Sequence, residues 1–286
     1  MRAFHSNWTK PFFCKHIGEY YIEDFELLTT IISALKWQEY NGDIQMVTDK
    51  IGAAYYRKLG LENIWNLGID DTLEDKMTDD ISPSTFWAAG KIYALEKQTV
   101  PCVMMDTDFI VWQSVKEELE HHRLSVIHRE KIDKCVYPNQ DKLVMNQQYT
   151  YNEDWDWQAE ACNTAFSYFG YKWFKDYYVN ESIRFMKSAI GEDPLIYMVF
   201  AEQRLLAMCA EEKQMDLYAL SNMEELFKKS QKRFTHVWGY KRYIRSNSKA
   251  REQFCKKCIR RIKNDFPNEY PLLYGIESLA SYLNEI

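Results

Sequence analysis

The sequence predicts an α/β protein with a doubly wound, mostly parallel central sheet flanked by helices. Short apolar runs alternate with helical patterns over the first 112 residues, and strands that alternate with helices pair in parallel through right-handed crossovers. The run Cys102–Met105 is apolar throughout, as in a strand buried on both faces. The 286 residues, 46% of them hydrophobic and 27% charged, suffice for a large core.

In the first half of the chain, strands are predicted at residues 1–6, 44–47 and 63–67. A helix is predicted at residues 19–40, because apolar residues recur there on one helical face before Asn41-Gly42. A second helix follows Thr48-Asp49 and stops at Gly60. A third begins at Ser82-Pro83, a cap followed by a first-turn proline, and reaches residue 98.

The second half is less regular. Strands are predicted at residues 124–128, 161–169 and 215–220, and helices at 171–189, 194–212, 248–264 and 271–284. Residues 135–156 are mostly polar and loop-like. They end in a second Asp-x-Asp, Asp154-Trp155-Asp156, which no apolar strand precedes. We interpret this segment as a lid or sugar-contacting loop rather than a metal site.

Composition narrows the class of protein. Seven cysteines form no even disulfide framework, and Cys255 and Cys258 lack a second pair at zinc-site spacing, so a reduced, cytoplasmic protein is expected. No run of 18 apolar residues is present, and a membrane span is not expected. The net charge is −6, yet residues 228–263 hold 14 Lys/Arg and one acid. Such a block suits phosphates, nucleic acid or an anionic membrane, and equally a solvated helix face.

Two carboxylates follow the buried strand directly. Asp106 and Asp108 alternate along extended backbone, so they point to the same side with their Cα atoms about 7 Å apart. Their mutual repulsion favours a cation beside them, and hard oxygen ligands select Mg²⁺ or Mn²⁺. In doubly wound sheets ligands bind beyond the carboxyl ends of the strands, where Ser6 and Thr48-Asp49 are also expected. The alternative is a strand that ends in two solvated aspartates.

A second cluster lies near the basic block. His236 offers a neutral nitrogen suited to Mn²⁺, and Gly239 would let backbone approach a phosphate. Lys241 and Arg242 would donate to a diphosphate leaving group. Lys91, in the helix before the carboxylate strand, is a further basic candidate, although it is equally an ordinary solvated lysine.

The order of these parts resembles the GT-A-fold glycosyltransferases, and most of all the glycogenin and bacterial lipopolysaccharide galactosyltransferase family. The matching motifs are the strand ending in Asp106-Thr107-Asp108, the later Asn163-Thr164-Ala165, the helical pair Glu202-Gln203, and the segment from His236 to Lys241. The chain departs from the family at several points. The family's Asp-Gln-Asp appears here as Glu202-Gln203-Arg204, and its Asn-x-Gly ends in Ala165. The spacing from His236 to Lys241 is one residue short, and the Lys-Pro-Trp ending is absent. A divergent relative is therefore expected.

The resemblance implies a role for each matching position. Asp106, Asp108 and His236 would hold Mn²⁺, or Mg²⁺, against the diphosphate of a nucleotide sugar, most simply a UDP-sugar. The other expected contacts are Lys241 and Gly239 with phosphate, Lys91 with donor sugar and diphosphate, Ser6, Thr48 and Asp49 with base and ribose, and Asn163 and Gln203 with the reacting sugar and acceptor. Because the sequence shows no internal repeat, low-complexity tract or clear linker, one GT-A-like domain is expected over residues 1–286. It would comprise a nucleotide-binding half (1–112), a smaller acceptor-side half (113–245) and C-terminal helices (246–286).

The expected function is a metal-dependent glycosyltransferase that moves a hexose from a nucleoside-diphosphate sugar to a glycan or lipid-linked acceptor, as in polysaccharide biosynthesis. An inverting reaction needs a carboxylate base, for which Glu202 is preferred over Asp193. A retaining one would place Gln203 beneath the sugar. Residues 228–263 could rest on the inner face of an anionic membrane.

Two other classes stay open. A haloacid-dehalogenase-like phosphatase also carries Asp-x-Asp after a buried strand, but on its first strand and with Thr or Val where Ile110 stands here. A non-catalytic nucleotide- or glycan-binding protein is the other. Nucleic acid is not an expected partner, because the crevice is acidic and no known nucleic-acid motif is present.

Overall fold

The computed structural model describes residues 1–285, and its centre is a seven-stranded sheet in the order β3-β2-β1-β4-β7-β6-β8. The strands are β1 (Arg2–Asn7), β2 (Ile44–Thr48), β3 (Ile69–Asp70), β4 (Cys102–Met105), β5 (Phe109–Val111), β6 (Leu124–Glu130), β7 (Ala161–Phe169), β8 (Leu217–Ala219) and β9 (Phe234–His236). Within the seven-stranded sheet, neighbouring strands run parallel except where β7 pairs with β4 and β6. β5 and β9 form a separate antiparallel ribbon. The predicted mixed α/β architecture with a mostly parallel sheet is confirmed.

Helices cover both faces of the sheet. They are α1 (Lys10–Phe13), α2 (Asp24–Tyr40), α3 (Lys50–Lys58), α4 (Ala89–Lys97), α5 (Lys116–Glu120), α6 (Lys172–Ser188), α7 (Pro194–Val199), α8 (Leu205–Glu212), α9 (Met223–Leu226), α10 (Tyr240–Ser246), α11 (Ser248–Asp265) and α12 (Ala280–Leu283). Alternate residues of β4 enter opposite cores: Val103 joins the core under α2 and α11, and Met104 the core under α4, α6 and α8. Strand β4 is therefore buried on both faces, as its composition predicts.

Four predicted boundaries are wrong. The first predicted helix begins at Asp24 instead of residue 19. Residues 62–64 form a 3₁₀ turn, and the third strand lies after the predicted 63–67, at β3. The apolar character there reflects Ile64 and Trp65, which fill the core from a turn. The third helix begins at Ala89 instead of Ser82, since the backbone turns at residues 82–86. Residues 271–284 form 3₁₀ turns and α12 in place of one helix.

Helix α4 is fixed at both ends by close contacts. Gly90 lies against Trp8, where a Cβ would come within 2.7 Å of the tryptophan Cβ. At the other end the buried Lys175 ammonium donates to the carbonyl oxygens of Leu95, Glu96 and Gln98. A cation on the last carbonyls of a helix satisfies acceptors that have no partner within the helix. These contacts hold α4, and with it Lys91, against the sheet.

The domain division at residues 112 and 245 stays a prediction. Among residues 1–285, no helix is long and apolar enough to cross a membrane.

His5 predicts a pH-dependent stability. The side chain is fully buried; its Nδ1 accepts from the Trp65 indole at 3.2 Å, and its Nε2 lies 3.0 Å from Ser33 Oγ. Burial lowers the pKa of His5 from 6.5 to about 3. Below pH 6.5 the unfolded chain binds a proton that the folded chain does not, so stability is lost as the pH falls. From pH 7 to pH 5 this group should cost about 2 kcal/mol.

Urea unfolding of the wild type and of His5→Gln at both pH values measures that contribution. The variant is expected to lose about 2 kcal/mol less than the wild type over this interval, whatever its stability at pH 7. Equal losses would show that the His5 imidazole does not resist protonation.

Candidate active site

Asp106 and Asp108 lie where the chain leaves the central sheet. The amide of Asp106 donates to the carbonyl of Ala165 on β7 at 2.8 Å, which extends the β4–β7 pairing by one residue. The chain then turns, with the Phe109 amide donating to the Asp106 carbonyl at 3.1 Å, and continues as β5 outside the sheet. The two carboxylates therefore stand at the carboxyl edge of the central strand.

A two-stranded ribbon brings His236 to these carboxylates. β5 pairs with β9 in antiparallel register, with Phe109 opposite His236, and the Val237 amide donates to the Asp108 carbonyl at 3.2 Å. Ligand atoms of Asp106, Asp108 and His236 consequently all lie within 4.8 Å of one another. The structure thus brings together the three predicted metal ligands.

The state of His236 fits a metal ligand. The residue is 9% exposed, and its Nδ1 is buried without a hydrogen-bond partner among residues 1–285. Burial lowers the pKa of the imidazole, although Asp108 and Asp106 oppose this. The site therefore offers one neutral imidazole nitrogen and two carboxylates. This set of ligands suits Mn²⁺ or Mg²⁺. Buried polar atoms are rarely left unpaired without a functional reason.

Each of the two carboxylates is paired with a different lysine. Lys91 Nζ lies 2.6 Å from Asp106 Oδ1, and Lys241 Nζ lies 3.1 Å from Asp108 Oδ2 and 3.2 Å from Glu26 Oε1. Burial opposes ionisation of Asp108, but the Lys241 ammonium outweighs it, and the pKa of this carboxyl lies below its usual range. Burial likewise opposes the charge on Lys91, but Asp106 and Glu202 raise its pKa. The Asp108 carboxylate and the ammonium groups of Lys91 and Lys241 are therefore charged at neutral pH.

Glu202 lies behind Lys91 on an irregular helical turn. Residues 200–204 form a π-helical turn between α7 and α8, a feature often found at functional sites. Glu202 Oε1 contacts the Lys91 ammonium and accepts from Thr164 Oγ1 at 2.7 Å, and Lys91 also donates to the Thr164 carbonyl at 3.2 Å. Glu202 is 3% exposed. Its carboxylate thus fixes the Lys91 ammonium beside Asp106.

A cavity of about 200 Å³ opens onto this charged group. The predicted residues lining it are Ser6, Lys91, Asp106, Asp108 and Lys241, and the others include Trp8 and Trp87, which the sequence did not single out. The Trp87 ring is half exposed. One opening therefore offers carboxylates, ammonium groups and aromatic surface to the same ligand.

Several predicted residues lie outside this opening. Thr48 and Asp49 are buried; Thr48 donates to the Asn7 carbonyl at 2.6 Å, and Asp49 accepts from the amides of Gly52 and Thr9. Both residues were expected to contact the base and ribose of the nucleotide. Instead, Thr48 bonds to the end of β1, and Asp49 caps α3. Gly239 has φ −65° and open space where a Cβ would stand, so the fold itself does not require glycine there.

Asn163 and Gln203 join a separate polar network on the β6–β7 side. Asn163 Nδ2 donates to Glu130 Oε1 at 2.9 Å, and the Tyr137 hydroxyl lies 2.9 Å from Glu130 Oε2 and 2.8 Å from Gln203 Oε1. Glu130 was missed because the predicted strand ended at residue 128. Glu130 is the last residue of β6, and Asp106 directly follows β4. An acid at the end of a largely apolar strand is the signal that identified Asp106, and it could also have identified Glu130.

The remaining candidates have structural partners. Asp193 caps α7, where its Oδ1 accepts from the amides of Leu195 and Ile196. Asp154 and Asp156 are exposed, and the buried Trp155 between them anchors their loop in the core. In the basic block, Arg245 and Arg251 pair with acids at the start of α2. The block is thus partly neutralised by the fold.

The model of one protein family, described as a family of unknown function (DUF6734), matches residues 1–276. No curated protein matches the chain in sequence.

Solved structures similar to the chain include three glycosyltransferases. Mouse xyloside xylosyltransferase 1 in its apo form has 7% identity and a TM-score of 0.40, covering 77% of this chain and 84% of that chain. The bifunctional glycosyltransferase WbbM in its apo form has 11% identity and a TM-score of 0.40, and the match covers 76% of this chain and 38% of that chain. The galactosyltransferase LgtC, with donor and acceptor sugar analogues, has 12% identity and a TM-score of 0.35, covering 71% of each chain.

Proposed function

The chain belongs to the family of unknown function DUF6734, and from the chemistry of its site we propose that it is a metal-dependent glycosyltransferase. It would move a hexose from a nucleoside-diphosphate sugar to a glycan or lipid-linked acceptor. The observation that carries the proposal is the trio Asp106, Asp108 and His236, whose ligand atoms lie within 4.8 Å of one another. The two aspartates line an open cavity, and His236 lies outside its lining. The order of its sequence motifs supports a divergent relative of the glycogenin and lipopolysaccharide galactosyltransferase family.

Asp106, Asp108 and His236 would hold Mn²⁺ or Mg²⁺, which when bound offsets negative charge on a departing diphosphate. The ammonium groups of Lys241 and Lys91 pair with the two aspartates of the trio and would donate to diphosphate oxygens. Such donors act without reorganising during the reaction when they are already fixed in place. Glu202 and Thr164 fix Lys91, and Glu26 holds Lys241.

These contacts reassign Glu202. The residue is 3% exposed, and its carboxylate is already in contact with the Lys91 ammonium and the Thr164 hydroxyl, so it is not open to an acceptor hydroxyl. Asp193, the other candidate base, is occupied as a helix cap. We therefore assign Glu202 to positioning Lys91, and place the acceptor beside the Glu130, Asn163 and Gln203 network.

A thermal-shift panel tests the proposal. Nucleoside diphosphates, with UDP expected first, should raise the unfolding temperature in the presence of Mn²⁺ and much less in EDTA, because the diphosphate and the cation are held together. At a ligand concentration one hundred times Kd the stabilisation is about 2.7 kcal/mol. The matched control is the nucleoside without phosphates. Equal shifts with and without the metal, or none with any nucleotide, would contradict the proposal.

A further inference from the structure

A second cleft lies at the other end of the β5–β9 ribbon. Its volume is about 740 Å³, within the range of small-molecule sites. The ribbon passes from the trio, at Phe109 and His236, to this cleft, whose lining includes Trp112, Phe234 and Thr235. None of the proposed metal or diphosphate contacts lines it. The cleft is therefore a separate site.

The floor of the cleft is a satisfied ionic network. Lys36 is 4% exposed, and its Nζ lies 2.6 Å from both Glu39 Oε2 and Asp265 Oδ2. Arg261 lies over the Trp112 ring at 5.2 Å and shares Asp265 with Lys36 at 3.3 Å. Both acids of the cleft are thus engaged by cations already within it.

The rim holds two cations without such partners. Lys232 and Lys257 are exposed, and neither forms an ion pair with any residue from 1 to 285. Together with Lys36 and Arg261 they give the cleft four positive groups against two carboxylates. The chain as a whole has a net charge of −6. A concave positive site on an acidic protein concentrates anions at that place.

We propose that this cleft binds a phosphate-bearing ligand with at least two negative charges. Two unpaired ammonium groups on the rim match a bisphosphate or diphosphate, and each can donate several hydrogen bonds to its oxygens. The cleft accounts for part of the basic block that the proposed transfer reaction does not use. The phosphate could belong to a soluble sugar phosphate or to a lipid headgroup, and the chemistry at the rim is the same for both.

Calorimetric titration with fructose 1,6-bisphosphate, in low salt with EDTA, tests binding without a divalent metal. The wild type is expected to bind, with affinity that falls as salt rises. Lys232→Glu/Lys257→Glu should weaken binding at least tenfold, whereas Lys249→Glu, a charge reversal at an exposed lysine of the same block outside the cleft, should not. Thermal unfolding of each variant checks that it folds, and Lys232→Gln/Lys257→Gln provides a milder replacement.

The source of the phosphate is decided by a second arm. Co-sedimentation compares phosphatidylcholine vesicles with and without phosphatidate, for the wild type and the same variants. Phosphatidate-dependent binding that the cleft double variant loses identifies a lipid headgroup, and binding of the bisphosphate alone identifies a soluble ligand. Absence of both, or equal loss in Lys249→Glu, overturns the proposal. Normal bisphosphate binding by the cleft variants would also overturn the proposal. So would displacement of the bisphosphate by Mn²⁺ and UDP, because the bisphosphate would then bind in the cavity beside Asp106 and Asp108.

Discussion

Replacing Asp108 with asparagine is expected to lower metal-dependent turnover of a nucleotide sugar by roughly a hundredfold to a thousandfold, as loss of one preorganised electrostatic group does. Asp108 is 5% exposed, and its carboxylate lies between His236 and Lys241. The amide keeps the shape of the side chain but removes the charge that a divalent cation requires. Release of nucleoside diphosphate from a panel of nucleotide sugars, with Mn²⁺ varied, gives the measurement.

Asp154→Asn is the matched control, because it makes the same change in the other Asp-x-Asp, on an exposed loop. It should leave turnover unchanged. Equal loss of turnover in both variants would show that the effect is not specific to Asp108 and would contradict the proposed metal site there. A wild type that binds nucleotide with Mn²⁺ but never releases diphosphate would instead favour the non-catalytic nucleotide-binding alternative.

Lys91→Met is expected to destabilise the fold by about 3–5 kcal/mol, because it leaves a buried carboxylate without its cation. The Glu202 side chain is only 4% exposed, and its charge is balanced by Lys91. Lys91→Met/Glu202→Gln should recover much of that loss, since the buried Glu202 charge is then gone. Asp106 also loses Lys91 in both variants, but its side chain is 29% exposed and remains in contact with water. Chemical unfolding of the wild type, both single variants and the double variant measures the coupling.

Lys97→Met, in the last turn of the same helix, provides the comparison. Lys97 pairs with Asp70 where both side chains are about one-fifth exposed, so its loss should cost about 1 kcal/mol or less. If Lys91→Met cost no more than Lys97→Met, or the double variant recovered nothing, the Lys91–Glu202 pair would not hold the site.

The sequence predicted those parts of the fold whose pattern is long or uniformly apolar. The strands at Cys102–Met105 and Ala161–Phe169 were located to the residue, because each is buried along its whole length. An acid stands at one end of each strand and a proline or glycine at the other. The third strand was misplaced because it has only two residues, Ile69 and Asp70. The apolar run before it includes Trp65, which is buried in the core from a turn instead of a strand. Residues 271–284 have helical composition but break into 3₁₀ turns, which the pattern does not distinguish.

The residues of the candidate site also differ in how far the sequence pattern alone could identify them. Asp106 and Asp108 were visible because they follow a buried strand, whereas His236 was found by motif alone. Its strand has three residues, too few for alternation to show, and its pairing with β5 is a tertiary contact between distant segments. Thr48 and Asp49 looked like ligand contacts because they end a parallel strand, but capping also requires polar residues there.

The ribbon of β5 and β9 sets the stage of biosynthesis at which the trio can assemble. It joins positions more than a hundred residues apart, and closing a loop of that length costs chain entropy before any contact compensates for it. A nascent polypeptide that ends before residue 234 can form the strand carrying both aspartates, yet it has no imidazole to complete the trio. The cation site proposed for the trio therefore cannot form until residue 236 has left the ribosome.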